Sequence, residues 1–350
     1  MGPEREWTGG LWQLPKEAKV KLSVIGAGSW GTTYAKILAD SGNDVTLYSR
    51  RADLAEEINT HRRNSDYLPG ITLPSSIAAT NDLDVAFADP EQVYLAIPSS
   101  TLREFLELNK DLFGSALVVS LMKGLEPNSQ QRMSQLITEV AGIDESKVVV
   151  VSGPNLALEI AQQQPAASVA ACSSIENAMA VARASSNDYF TVFANEDVIG
   201  TELGGVLKNL IALALGVVSG VGHGQNTKAS ILTRGLSEIT RFAVELGARR
   251  RTMYGLAGLG DLVATGESNL SRNHRAGEML GKGYSKREVL KLMKQTAEGL
   301  SSVEPVLALA QERGLTLPII EQLSQVIDGK MKVADFGNKL THETEEAEIE

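Results

Sequence analysis

Lys208 is the lone cation in the run VIGTELGGVLKNLIALALGVVSGV at 198–221, where nearly every other residue is apolar or small. A helix with no polar face is normally buried. A lysine inside it must reach solvent along its stem, find a carboxylate, or lose its charge. A lysine that gives up its charge can take and return protons. Downstream lies the triplet Ser271-Arg272-Asn273. Arginine grips phosphate bidentately, and Ser and Asn add neutral hydrogen bonds. The plainer reading of the triplet is a helix start with Ser271 as N-cap. Asp261 lies upstream in GLGDL and reads, alone, as a turn or cap residue. Near the start stands Gly26-Ala27-Gly28-Ser29-Trp30-Gly31. There Gly26 allows a tight turn, Gly28 lets backbone approach a pyrophosphate, and Gly31 lets a helix sit close to a strand.

These groups need elements to hold them. The apolar run 20–25 predicts a strand that enters the glycine turn, residues 32–41 a helix ended by Gly42, and 44–48 a second strand. Strand, glycine turn, helix and strand within about 30 residues is the setting in which this hexad binds a dinucleotide, because the helix amides then face phosphate. The second strand ends in Ser49-Arg50-Arg51, where an NAD site usually carries an acid. Arg50 and Arg51 suit a 2′-phosphate, so NADPH is expected in preference to NADH; Asp53 falls in the helix that follows. Further strands are read at 93–97, 117–121, 148–151, 166–171 and 190–193. Glycine-rich and polar turns follow several of them, including Lys123 after 117–121 and Gly153 after 148–151. Ligands bind at that rim in open α/β sheets. Lys123 there either caps a turn or meets a phosphate or carbonyl. From 198 onward the pattern is helical, with a glycine-rich break at 255–262.

The expected fold is therefore an α/β N-terminal Rossmann-type dinucleotide-binding domain followed by an all-α C-terminal domain. The division reads 1–18 extension, 19–197 nucleotide domain, 198–335 helical domain and 336–350 acidic tail. A length of 350 residues suits two such domains. The net charge of −10 argues against a nucleic-acid or membrane-surface partner. The lone Cys172 excludes an internal disulfide, and no leader pattern opens the chain, so the cytoplasm is the expected location. Glu202, Lys208 and Asn209 interrupt the long apolar run, which reads as a core helix and not a membrane span. No metal is called for.

GAGSWGT at 26–32, MKGLE at 122–126, SGP at 152–154, LGGVLKN at 203–209, TRGLSE at 233–238, GLAGLGDLVAT at 255–265, SRNHRAG at 271–277 and AEG at 297–299 are similar, in order and spacing, to NAD(P)-dependent glycerol-3-phosphate dehydrogenases. The resemblance looks closest to the bacterial form and covers about residues 20–330. It implies interconversion of dihydroxyacetone phosphate and sn-glycerol 3-phosphate, a supply for phospholipid synthesis, and a homodimer. It also implies roles. Ser29 and Trp30 would line the cofactor phosphates, Arg50 the adenosine ribose or its phosphate, and Ala157, Thr296 and Glu298 further parts of the cofactor. Lys123 would touch cofactor and substrate. Gly153, Asn155, Asp261, Ser271, Arg272 and Asn273 would bind substrate, with Arg272 also near the cofactor. Lys208 would accept the proton in alcohol oxidation and return it in ketone reduction.

Asn155 stands where the family usually has Ser or Thr, and Thr296 where an aliphatic residue is more usual. Two other readings compete. A 3-hydroxyacid or 6-phosphogluconate type dehydrogenase also joins a glycine-rich nucleotide domain to helices with a buried lysine, but leaves SRN with GLGDL unexplained. A non-catalytic cofactor-binding sensor would not need the lysine, aspartate and arginine together.

Overall fold

Short apolar runs bounded by glycine and polar turns build a sheet whose central strands are buried on both faces, as parallel sheets require. In the computed structural model, residues 19–268, 271–293 and 297–337 are described. The strands are β1 Lys21–Ile25, β2 Asp44–Tyr48, β3 Ile77–Thr80, β4 Gln92–Leu95, β5 Leu117–Ser120, β6 Val148–Ser152, β7 Ala166–Ala171 and β8 Phe190–Asn195. They form one sheet in the order β3-β2-β1-β4-β5-β6-β7-β8. All neighbours are parallel except β6 and β7. The order reverses beside β1, which lies between β2 and β4. That reversal leaves a crevice at the carboxyl ends of β1 and β4, the usual ligand position in such sheets.

The sequence reading missed β3. IAAT is four residues long with only weak alternation, and its place depends on its partner β2. The outer edge strand β8 is blunted by its own entry loop. Phe190 N–H donates to the Asn187 side chain at 2.9 Å and Val192 N–H to Ser186 Oγ at 3.0 Å, so these edge donors are not free to recruit another strand.

Past β8 the helix Val198–Val221 runs through the middle of a helical core. Residues 200–218 are all buried, so protein surrounds this span and its apolarity is that of a core helix. Around it pack Gln225–Glu245, Asp261–Glu267, Arg272–Gly281, Glu298–Glu312 and Pro318–Ile327. The helix Arg272–Gly281 approaches closest. A Cβ on Gly216 would lie 2.1 Å from the His274 carbonyl oxygen, and one on Gly277 2.0 Å from that of Leu213. Only glycine permits backbones so close.

Two sequence expectations need correction. The stretch 255–262 is not a break: Leu256–Gly260 forms a π-helical turn that runs directly into Asp261–Glu267. A Cβ on Gly258 would sit 2.0 Å from the Met253 carbonyl oxygen, so the glycines there serve compaction within a helix, a use that their turn propensity hides. Phe336, assigned to the acidic tail, is fully buried in the helical core. The extension 1–18 and the rest of the tail, 338–350, lie outside the described residues.

Candidate active site

The first helix, Ser29–Asp40, begins where β1 ends. Gly26 has φ +115°, and a Cβ on it would stand 2.5 Å from the Ala96 carbonyl oxygen. A Cβ on Gly31 would stand 1.9 Å from the Gly26 carbonyl oxygen, so the helix is pressed onto the turn. Gly28 is the N-cap, and a Cβ there would meet nothing within 4 Å. The helix end therefore opens on free space with no side-chain cap. Its amides and dipole favour an anion. Trp30 Nε1 beside it is buried with no partner, a costly donor unless a ligand meets it. These features fit a dinucleotide pyrophosphate. Ser29 Oγ donates to the Tyr67 carbonyl at 2.6 Å. The Ala157 carbonyl accepts from Thr33 Oγ1 at 3.3 Å, which puts the helix Ala157–Ala161 against the first helix.

The two arginines after β2 differ. Arg51 forms ion pairs with Asp53 at 2.6 Å and Asp66 at 2.5 Å, so its charge is already matched. Arg50 is exposed and makes no hydrogen bond or ion pair among the described residues. Arg50 is accordingly the better candidate for a 2′-phosphate.

The centre of the site is a carboxylate shared by two lysines. Asp261, 1% exposed, accepts from Lys208 Nζ on Oδ1 at 2.8 Å and from Lys123 Nζ on Oδ2 at 2.6 Å. Lys208 Nζ also donates to Thr265 Oγ1 at 2.5 Å, and Thr265 Oγ1 donates to Asp261 Oδ1 at 3.1 Å. Lys123 Nζ donates in addition to the Gly153 carbonyl at 2.9 Å. Lys123 is thus a contact residue of this centre and not a turn cap. Burial lowers the Lys208 pKa to about 8; Asp261 opposes that shift, and the positive charge of Lys123 adds to it. At pH 7 about a tenth of Lys208 is then the neutral amine. A lysine so placed can exchange a proton near neutrality.

The predicted phosphate triplet starts the helix Arg272–Gly281. Ser271 is its N-cap, with Oγ accepting from His274 N–H at 3.2 Å, so the plain structural reading of Ser271 holds. Asn273 Oδ1 accepts from Gly299 N–H at 2.9 Å and so joins this helix start to that of Glu298–Glu312. Arg272 is exposed. It enters the centre through its charge on Glu298. Burial raises the Glu298 pKa, and Arg272, Lys123 and Lys208 counter the rise. Four of the expected residues therefore share one electrostatic field. Gly153 has φ +154°, and a Cβ there would stand 2.9 Å from Ser168 Cα. Asn155 Nδ2 donates to Ser168 Oγ at 3.3 Å, while its Oδ1 is buried without a partner and available to a donor on a ligand. Thr296 lies outside the described residues.

Thr265 was not picked out from the sequence. Its position four residues after Asp261 on one helix puts both on the same face, a signal that becomes readable only once 255–267 is known to be helical. Glu202 was noted only as an interruption. It is buried and bonded to Arg132 and Ser134, whose distance in sequence conceals the contact.

Comparison with known proteins matches residues 21–178 to the family described as NAD-dependent glycerol-3-phosphate dehydrogenase N-terminus, and 197–338 to its C-terminus. A glycerol-3-phosphate dehydrogenase [NAD(P)+] of Leifsonia xyli is 56% identical over 92% of this chain and 88% of its own. One from Corynebacterium diphtheriae is 48% identical over 94% of this chain and 100% of its own. Among solved structures, the glycerol-3-phosphate dehydrogenase of Coxiella burnetii superposes with a TM-score of 0.86 at 32% identity, covering 94% of this chain and 100% of that one.

Proposed function

The chain belongs to the NAD-dependent glycerol-3-phosphate dehydrogenase family, and from that premise we propose how its residues carry out the reaction. The enzyme is an NAD(P)-dependent oxidoreductase that interconverts dihydroxyacetone phosphate and sn-glycerol 3-phosphate. The observation that carries the mechanism is the Asp261 carboxylate held between Lys208 and Lys123. The nicotinamide, when bound, supplies or accepts the hydride.

Lys208 Nζ takes the hydroxyl proton in alcohol oxidation and returns it to the oxygen in ketone reduction. The lowered pKa supports this, because both protonation states are accessible near pH 8. Lys123 keeps a positive charge beside the reacting oxygen as negative charge develops there. Asp261 holds both ammonium groups and limits the fall in the Lys208 pKa. Arg272, with Asn273 and the Ser271 hydroxyl, grips the substrate phosphate; that remote binding fixes the reacting carbon. Gly153 and Asn155 border the substrate. Gly26, Gly28, Ser29, Trp30, Gly31, Ala157, Thr296 and Glu298 would hold the dinucleotide, with Arg50 at its adenosine end. The unpaired Arg50 supports NADPH over NADH.

The same reading makes this a cytoplasmic homodimer that supplies phospholipid synthesis, divided near residue 197 into a nucleotide and a helical domain. Lys208→Ala tests the mechanism. Turnover should fall by about 10³-fold, in the range of a lost general acid–base, with NADPH affinity unchanged. Turnover within a few-fold of the parent removes Lys208 from proton transfer. Oxidation of NADPH with hydroxyacid precursors in place of dihydroxyacetone phosphate would restore the rival dehydrogenase assignment.

A further inference from the structure

We propose that Glu202 is a positioning residue of this reaction, tying the segment that carries Lys123 to the helix that carries Lys208. The proposal rests on the roles given above to the two lysines. Glu202 lies on the central helix and is 2% exposed. Its carboxylate accepts from Ser134 N–H at 3.0 Å, from Ser134 Oγ at 2.6 Å and from Arg132 Nη1 at 2.9 Å. Ser134 lies in the first turn of the helix Met133–Ala141, so the negative charge also meets a helix N-terminus.

The partners of Glu202 connect to Lys123 through a closed hairpin. Leu125 and Arg132 form an antiparallel bridge. Glu126 N–H donates to the Gln131 carbonyl at 2.9 Å, and Gln130 N–H to the Glu126 carbonyl at 2.8 Å. Arg103 grips the Glu126 carboxylate at 2.5 Å from outside. The chain that leaves β5, passes Lys123 and turns at 126–131 is therefore fixed to itself and then to Glu202. On the other side, Glu202 and Lys208 are six residues apart on one helix, a separation of about 9 Å along its axis. Between them, Gly204 and Gly205 seat the helix closely. A Cβ on Gly204 would stand 2.6 Å from the Ala257 carbonyl oxygen, and one on Gly205 2.5 Å from Ser152 Oγ and 3.4 Å from Lys123 Cγ. Lys123 and Lys208 thus meet at Asp261 because their supports are locked together at Glu202. A structure needing only stability would be served as well by an apolar pair there, since buried ion pairs seldom add net stability.

Glu202→Gln keeps the volume but offers one acceptor and a donor to three donors. Turnover in that variant should fall about tenfold through lost alignment, with the KM for NADPH within about twofold, because the Gly26–Gly31 turn is untouched. The deciding measurement is the cycle with Lys123→Ala. If Glu202 acts through Lys123, adding Glu202→Gln to Lys123→Ala costs less than about twofold further. Ser134→Ala removes a single bond and serves if Glu202→Gln does not fold; its loss of about threefold should likewise vanish in the Lys123→Ala background. Losses that multiply in the double variants, or single variants with parental turnover, overturn the proposal while leaving Lys123 in the mechanism. Parental turnover in Lys123→Ala alone overturns both.

Discussion

Asp261→Asn should move the pH dependence of this enzyme in a direction fixed by the structure. The substitution keeps shape and leaves Thr265 to bond Lys208, but removes the charge between two ammonium groups. Asp261 raises the Lys208 pKa both by its charge and by its hydrogen bond, whereas burial and Lys123 lower it. Without the carboxylate the lowering effects of burial and Lys123 are opposed only by the smaller pull of Glu298. A close carboxylate is worth about 1–3 pKa units, so a value of about 8 should fall to about 6. At pH 7.5 the protonated fraction of Lys208 would then drop from about three quarters to about 3%, roughly 25-fold. Ketone reduction needs the protonated form and should slow by about that factor, with its alkaline limb displaced by about two units toward acid. Alcohol oxidation needs the neutral form, so its acid limb should move the same way by the same amount. The assay is turnover in each direction against pH, followed by the absorbance of the reduced nicotinamide at saturating substrate. The KM for dihydroxyacetone phosphate should also rise, since Lys123 loses its anchor. Limbs that stay in place, or move toward alkali, refute the assignment of Lys208 as the titrating group.

Arg50→Ala should lower kcat/KM with NADPH by about 10-fold to 100-fold and leave that with NADH within about threefold, since a 2′-phosphate loses a charge-assisted partner; equal losses with both cofactors would move the discrimination elsewhere. Glu238→Gln should flatten the pH dependence of stability. The Glu238 carboxyl, bonded by Ile319 N–H and Ile320 N–H, is pushed up by burial to about 7 from 4.5. A raised carboxyl favours folding below its unfolded pKa and loses that benefit as pH climbs through about 7, some 3 kcal/mol at most. The parent Tm should therefore fall between about pH 5 and 8, and the variant Tm should not. Gly216→Ala should cost about 2–3 kcal/mol by overpacking against the His274 carbonyl 2.1 Å from the new Cβ, read as a lower Tm.

Much of this site was legible residue by residue, because its parts sit at local signals. The glycine hexad announced itself through a strand, a turn and a helix, where Gly26 and Gly31 make close contacts and Gly28 faces open space. Lys208 stood out because a cation among apolar residues needs a reason. Asp261 did not stand out: an aspartate after glycines is common, and its meaning lies in Lys123 and Lys208, which are distant in sequence. The π-helical turn before it was hidden for a related reason, since the glycines that allow close packing are the ones that suggest a break. Ser271 and Asn273 show the opposite limit. Their types suggested phosphate binding, yet part of their bonding capacity goes to a cap and to Gly299. Glu202 looked like an imperfection in an apolar helix until Ser134 and Arg132 were seen against it.

The proposed mechanism asks a buried lysine to be both charged enough to give a proton and neutral enough to take one, and the arrangement suits both demands. Burial alone can carry a lysine to a pKa of about 5 or 6, which would leave almost no acid at neutral pH. An aspartate devoted to it would restore a permanent ammonium, which would leave almost no base. Here the aspartate is divided: Oδ1 serves Lys208 and Oδ2 serves Lys123, whose own charge offsets part of the attraction. That balance depends on distances of 2.6 and 2.8 Å and would drift if the supports moved independently. They are not free to do so. The aspartate comes from a helix entered through a π turn pressed onto Gly204, Lys123 from the segment that leads into a hairpin bonded to Glu202, and the helix Arg272–Gly281 crosses at Gly216 and Gly277 with no side chain between the backbones. The small residues that make the central helix look featureless are what allow three separate segments to reach it, so its low polarity and its chemistry have one cause.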